Sequence, residues 1–189
     1  EDCLNQLLNQ SLKPSKIIII DDASTDDSVL VINRLLKKFH NLRLVVNSKN
    51  VGACQAYNIG LEFVESEYIY FAAVDDILSL NFFEKSMEFL LKNEHGAFTC
   101  GKAYKENTRT GSISSRPIIP PKIKNKLMDR NEVAQEFFDN DNWIMTGTCV
   151  FRKNLVMKNK KCFSKRKVLI GMIIQLSLRG VLMYKEKEF

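Results

Sequence analysis

At 189 residues, with 45% hydrophobic and 26% charged side chains, the chain has the length and make-up of one globular domain, which excludes a disordered tail. No apolar run reaches the roughly 18 residues that a membrane-spanning helix needs. The net charge of +6 raises nucleic acid or an anionic membrane as partners, and the place of that charge in the chain must choose between them. Cys3, Cys54, Cys100, Cys149 and Cys162 are scattered, make no Cys-x-x-Cys pair and group with no His. Reduced cytosolic thiols are expected, not a zinc site.

In chain order, residues 1 to 12 place Leu4, Leu7, Leu8 and Leu12 at helical spacing, and Lys13-Pro14 ends that helix. Lys16 to Ile20 carries four consecutive Ile, the pattern of a strand buried on both faces. The polar turn Asp21-Asp22-Ala23-Ser24-Thr25-Asp26 follows, and Asp26 to Lys38 reads as a helix with Val29, Ile32, Leu35 and Leu36 on one side. Leu42 to Val46 reads as a strand, Asn47 to Gly52 as a turn, Ala53 to Val64 as a helix and Tyr68 to Val74 as a strand that stops at Asp75-Asp76. A helix over 81 to 92 closes this half. Beyond residue 96 the pattern loosens: strands over Ala97 to Tyr104 and Thr146 to Arg152, a loop over Thr108 to Lys126, a helix over Arg130 to Asp139 and an apolar helix over Val168 to Leu178. Residues 1–95 and 96–189 are expected to be two halves of one domain.

Strands alternating with helices imply an α/β fold with a parallel sheet, and in such sheets ligands sit beyond the carboxyl ends of the strands. Both acidic pairs fall there. Carboxylates from two strand ends suit a hard divalent cation such as Mg²⁺ or Mn²⁺, which completes its shell with substrate phosphates. Taken singly, an Asp after a strand also caps a helix or starts a turn. Gly52 before a helix offers backbone amides to a phosphate, but no Gly-x-Gly-x-x-Gly or P-loop pattern is present, which removes dinucleotide and P-loop readings.

The runs IIIIDDASTDDS (17–28), NSKNVGACQAYNIG (47–60) and EYIYFAAVDDIL (67–78) come in an order and spacing that resembles the inverting family 2 glycosyltransferases of the GT-A fold. The resemblance covers residues 1 to 95 and implies a Rossmann-like, mostly parallel sheet with helices on both faces. It implies that Asp21 and Asp22 lie near the base and ribose of a nucleotide-sugar, that Ser24 and Asp26 shape their turn, and that Asn50, Gly52 and Asn58 form the second motif. Asp75 then corresponds to the last Asp of an Asp-x-Asp metal motif, with Asp76 behind it, so Asp75 and Asp76 are the expected Mg²⁺ or Mn²⁺ ligands. The implied activity is metal-assisted, inverting transfer of a sugar from a nucleotide-sugar to a saccharide or lipid-linked acceptor, in polysaccharide synthesis for the cell envelope.

The chain departs from the family's pattern at named positions. Ala73 stands where the first Asp of Asp-x-Asp is usual, Tyr57 where Arg is usual, and the family's acidic base falls by register at Val168 or Leu169, so no base is assigned. Asp139 and Asp141 read as a solvated turn. The family's first strand would precede residues 1 to 12 and is expected to be missing from this chain, leaving an empty central slot between the strands at 16 to 20 and 68 to 74 and an unstable fragment. A domain that binds the donor without catalysis is the alternative, and a phosphoacceptor receiver domain is disfavoured because the Asn-x-Gly turn and Asn58 have no place in it.

Trp143 suits a sugar ring or a core, and His40 and His95 have no partner in sequence. Arg152 to Lys167 holds eight Lys or Arg and no acid, interrupted by Leu155, Val156, Met157 and Phe163. It is expected to be exposed and to touch an anionic membrane surface or a lipid diphosphate, placing the protein in the cytoplasm, peripheral to the membrane. Without a stacking platform or reading helix, nucleic acid is not an expected partner.

Overall fold

The computed structural model describes residues 2–104, 106–107, 109–114, 127–129, 131–133, 135, 146–154 and the backbone of 171–176. Four helices, α1 (Asp2–Leu8), α2 (Ser28–Leu36), α3 (Ala53–Leu61) and α4 (Phe82–Lys92), alternate with β1 (Lys16–Asp21), β2 (Leu42–Val46) and β3 (Tyr68–Ala73). Then come β4 (Phe98–Cys100), β5 (Glu106–Asn107), β6 (Ser112–Ile113), a 3-10 turn (Thr146–Thr148), β7 (Cys149–Arg152) and β8 (Gly171–Leu176). Six strands form one sheet in the order β2-β1-β8-β3-β7-β4, and β5-β6 is a separate hairpin whose second strand falls in the stretch expected to be loop.

Period-two alternation explains how the four Ile are used. Ile17 and Ile19 face a core shared with Leu4 and Leu7 of α1, Leu35 of α2, and Phe83, Met87 and Leu90 of α4. Ile18 and Ile20 face the opposite core, with Ala53, Ala56, Tyr57 and Leu61 of α3. β3 divides in the same way, Tyr68, Tyr70 and Ala72 to the first core and Ile69 and Phe71 to the second. Helices therefore cover both faces, as expected. At residue 129 a reciprocal cap starts a further helical stretch: Asp129 Oδ1 accepts from the Asn131 and Glu132 amides, and Glu132 Oε2 accepts from the Asp129 amide.

Four sequence-based expectations are corrected. The sheet is mostly parallel in strand direction but not in pairing: β1 to β4 run the same way, while β7 and β8 run against them, so among the described residues only the β1-β2 ladder is parallel. Residues 171–176, expected inside an apolar helix, form strand β8. A short apolar run satisfies either periodicity, and the unpaired edges of β1 and β3 favour the strand because their buried NH and C=O groups need partners. For the same reason the central slot is not empty. β8 fills it, pairing Ile17–Ile174 and Ile18–Ile173 on one side and Tyr70–Ile174 and Phe71–Ile173 on the other, and the expected instability loses its basis.

Fourth, the basic run does not begin at an exposed residue. The Arg152 side chain is 13% exposed and its guanidinium donates to Gly96 O, Glu67 Oε1, Tyr68 Oη, Leu90 O and Asn93 O. Lys153 donates to Val64 O. Arg152 binds the far end of the sheet to the end of α4 and Lys153 binds it to the segment after α3, both held by carbonyls and not offered to a surface. Residues 155–167 of the run lie outside the described residues, as do Asp139, Asp141, Trp143, Val168 and Leu169.

Candidate functional site

β8 provides a common ruler for the two acidic pairs. Ile19 of β1 and Ala72 of β3 both pair with Met172, so Asp22 and Asp75 each stand three residues past one shared rung. Because β1 and β3 run in the same direction, both pairs reach the same edge of the sheet, their strands separated by about twice 4.8 Å.

Asp22 is built into its surroundings. β1 and β2 pair Asp21 with Val46, and the Asn47 amide donates to Asp21 O, which brings Asn47 level with Asp22. Asn47 Nδ2 donates to Asp22 Oδ1 at 2.8 Å, the Val51 amide to the same oxygen at 2.9 Å and the Gly52 amide to Oδ2 at 2.7 Å. Asp22 is only 8% exposed. Burial opposes its charge, but the Val51 amide, Asn47 and the Gly52 amide together outweigh burial and hold the carboxyl below the ordinary range. The carboxylate thereby ties the end of β1 to the 47–52 turn and to the start of α3.

Two backbone features serve this brace. Gly52 has φ +81°, outside the range comfortable for an L residue, where the chain turns from the amide bonded to Asp22 into α3. Ala23 has φ +61°, a left-handed conformation in a residue other than glycine, costing on the order of 1 kcal/mol. The Ser24 amide donating to Asp21 Oδ1 at 3.1 Å helps hold that turn, and exposed Asp26 accepts from the Ser28 amide at 3.0 Å. The hydroxyl and amide of Ser28 lower the Asp26 pKa.

The second pair is placed differently. Asp75 is exposed and Asp76 half-buried, and burial first and the charge of Asp75 second push the Asp76 carboxyl up. The Asp76 carboxylate occupies the place a Cβ at Gly147 would take, so a side chain at 147 would have to displace it. Gly147 O in turn accepts from the Tyr70 hydroxyl at 2.8 Å. The loop that follows is held by α1 and the residues just after it: Gln6 accepts from the Leu78 amide, Gln10 donates to Ser79 O, and the Ser11 amide donates to Leu80 O. Negative charge reaches the neighbours. Burial first, with Asp76 and Asp75 adding, raises the Tyr57 phenol to about 12 and the Cys3 thiol to about 11, so both stay protonated at neutral pH.

Of the expected site residues, Asp21, Asp22, Ser24 and Gly52 converge at the end of β1, and Asp75 with Asp76 at the end of β3. Asn50 is exposed in the 47–52 turn, and Asn58 on α3 has its Oδ1 buried without a hydrogen-bond partner among the described residues. Tyr57, at the position where Arg is usual, donates to Ala72 O at 3.3 Å and meets Phe71 edge-on. Asn47 was not singled out in the sequence; its signal is its place one residue past β2, level with Asp22. No cluster of three or more His, Cys, Asp or Glu able to hold a metal is found among the described residues. The adjacent carboxylates of Asp75 and Asp76, one of them raised partly by the other, are the pair that suits a cation whose remaining ligands come from substrate phosphate and water. No helix among the described residues is long and apolar enough to cross a membrane.

Comparison with known proteins agrees with this fold. A family model described as Glycosyl transferase family 2 matches residues 1–158. A protein of Haemophilus influenzae named as an uncharacterised glycosyltransferase is 27% identical over 168 residues, 87% of this chain and 51% of that protein. A poly(ribitol-phosphate) beta-glucosyltransferase of Bacillus spizizenii is 31% identical over 104 residues, 53% of this chain and 16% of that protein. Crystal structures of S. aureus TarS 1-349 in complex with UDP and with UDP-GlcNAc share the fold at TM-score 0.60, with 19% and 20% identity, over 81% of this chain and 42% and 41% of theirs. This chain thus spans about half or less of the length of these relatives. The matched region contains both acidic pairs, the Asp22 brace and the 47–52 turn, and the chain belongs to glycosyl transferase family 2.

Proposed function

We propose that this chain is the donor-binding and transfer region of an enzyme that moves a sugar from a nucleotide-sugar to a saccharide or lipid-linked acceptor of a cell-envelope polymer, with inversion at the anomeric carbon. One observation carries the reading: two acidic pairs stand level at one sheet edge, the first consumed in bracing the turn before α3 and the second left open. The braced turn is the side on which nucleoside contacts belong, with Asp21, Asp22, Ser24, Asn50, Gly52 and Asn58 at or near it. The buried Oδ1 of Asn58, without a hydrogen-bond partner among the described residues, suits a donor group of a ligand. Asp75, with Asp76, would hold Mg²⁺ or Mn²⁺, whose chemistry is to offset charge growing on the departing diphosphate. The acceptor hydroxyl approaches from the face opposite the leaving group, and a carboxylate takes its proton.

Exposed Val74, Ile77 and Leu80 beside the acidic pair suit the apolar part of a lipid-linked acceptor. Peripheral contact with an anionic membrane on the cytoplasmic side belongs to the same proposal and falls to the basic residues beyond Asn154, since Arg152 and Lys153 are committed within the fold.

Calorimetric titration with UDP-GlcNAc and UDP, with and without Mn²⁺, tests the donor and metal roles together. The expected result is ion-dependent binding that Asp75→Ala makes ion-independent. Equal affinity with and without the ion in the unmodified chain overturns the metal role, and no binding of either nucleotide overturns a UDP-sugar as the donor. Binding without donor turnover identifies the non-catalytic alternative, for which the Ala73 departure is the motive.

A further inference from the structure

Cys100 and Cys149 take no part in the site above, yet they stand directly opposite one another. Cys100 ends β4, Cys149 opens β7, and the antiparallel register pairs them. Opposed residues of such a ladder project to the same face with Cβ atoms about 4.5–5.5 Å apart, and a disulfide spans about 3.5–4.5 Å, so a small approach closes the gap. Their sulfurs also share one neighbour: Cys100 Sγ lies 3.2 Å from Thr148 Oγ1, and Cys149 Sγ lies 3.6 Å from the same hydroxyl. Access differs. Cys149 is fully buried, whereas Cys100 is half-buried on β4, the outermost strand of the sheet. Cys3 and Cys54 are on helices and have no cysteine opposite them in a ladder.

We propose that Cys100 and Cys149 form a reversible dithiol–disulfide site, oxidised by exchange with a small-molecule disulfide. Cys100 is the attacking sulfur because it is the accessible one. The Cys149 thiol, raised first by its hydrogen bond with Cys100 and then by burial, keeps its proton until the first step is over. The Cys100 thiolate attacks one sulfur of the external disulfide, forming a mixed disulfide and expelling one external thiolate. Cys149 then loses its proton and attacks Cys100 Sγ; the Cys100–Cys149 bond forms and the second external thiolate leaves. The two protein protons end on the two released thiols, so one external disulfide is reduced as one internal disulfide forms. In a reducing compartment such a bond is a transient sensor and not a permanent staple.

The test incubates the full, folded chain at rising ratios of oxidised to reduced glutathione, quenches with iodoacetamide and maps peptides without reduction. The expected result is one cross-linked peptide joining Cys100 to Cys149, lost on adding dithiothreitol, with Cys3 and Cys54 alkylated throughout. Cys100 and Cys149 both alkylated at every ratio would overturn the proposal, as would a glutathione adduct on Cys100 that never passes to Cys149. In Cys149→Ser the cross-link is replaced by a lasting glutathione adduct on Cys100. Failure of that adduct to form overturns the assignment of Cys100 as the attacking sulfur.

Discussion

The ends of β1 and β3 carry the same dipeptide, Asp-Asp, at the same level of the same sheet edge, and the protein treats them in opposite ways. At β1 the Asp22 carboxylate receives three hydrogen bonds, is buried and has a lowered pKa. At β3 the exposed Asp75 stands beside an Asp76 whose pKa burial and Asp75 both raise. A carboxylate that the fold satisfies is a structural brace. One that the fold leaves charged, crowded and open to solvent remains available to a ligand, which is why the second end carries the functional proposal.

The sharpest way to break this contrast is to remove the brace. Asp22→Ala leaves the Val51 and Gly52 amides and the Asn47 amide group without their acceptor in a buried setting, and should lower stability by about 3 kcal/mol, read from the denaturant midpoint. Asp75→Ala, at an exposed position, should change the same midpoint by less than about 0.5 kcal/mol. Equal losses in the two variants would end the comparison.

Gly52→Ala comes next in size. No atom lies within 4 Å of the added Cβ, so the expected loss of roughly 1–3 kcal/mol is conformational, from φ +81° alone. A smaller loss would mean that the 47–52 turn relaxes and that Asp22 holds it only loosely.

The two ends should also respond oppositely to acid. The lowered folded pKa of Asp22 means that its contribution is complete above the ordinary value of 3.8 and is lost as pH falls through the lowered value. Asp22→Asn should therefore flatten the acid limb of a stability–pH curve measured by denaturant titration. Asp76 has a raised folded pKa, so its charge costs stability above that pKa, and the cost is relieved as pH falls through it. Asp76→Asn should give a small gain, under about 1 kcal/mol at neutral pH because the group is partly solvated. A loss instead would show that the carboxylate has a stabilising partner.

Much of the fold was legible because its signals are local. The Ile17–Ile20 run, the helical spacing in α2 and α4 and the Asp-Asp turns name their elements within a few residues, and β2 has the bounds read from sequence. The failures share a cause. The 168–178 run is apolar enough for helix or strand, and the choice is made by hydrogen-bonding edges of β1 and β3 that are about 155 and about 105 residues away in sequence. Arg152 reads as the start of a charged surface, but the carbonyls that bind it come from Leu90, Asn93 and Gly96, which only the packing of α4 against the sheet brings near.

The sequence by itself determined the alternation of strand, turn and helix, the doubly buried β1, and the presence of acidic pairs at two strand ends, since periodicity and turn chemistry act between neighbours along the chain. Tertiary structure alone decided which strand lies at the centre, and which of two identical dipeptides becomes a brace and which stays open. That choice depends on donors from Asn47, Val51 and Gly52 arriving at Asp22 while Gly147 arrives at Asp76, and burial and hydrogen-bond supply are properties of the assembled sheet, not of the dipeptide.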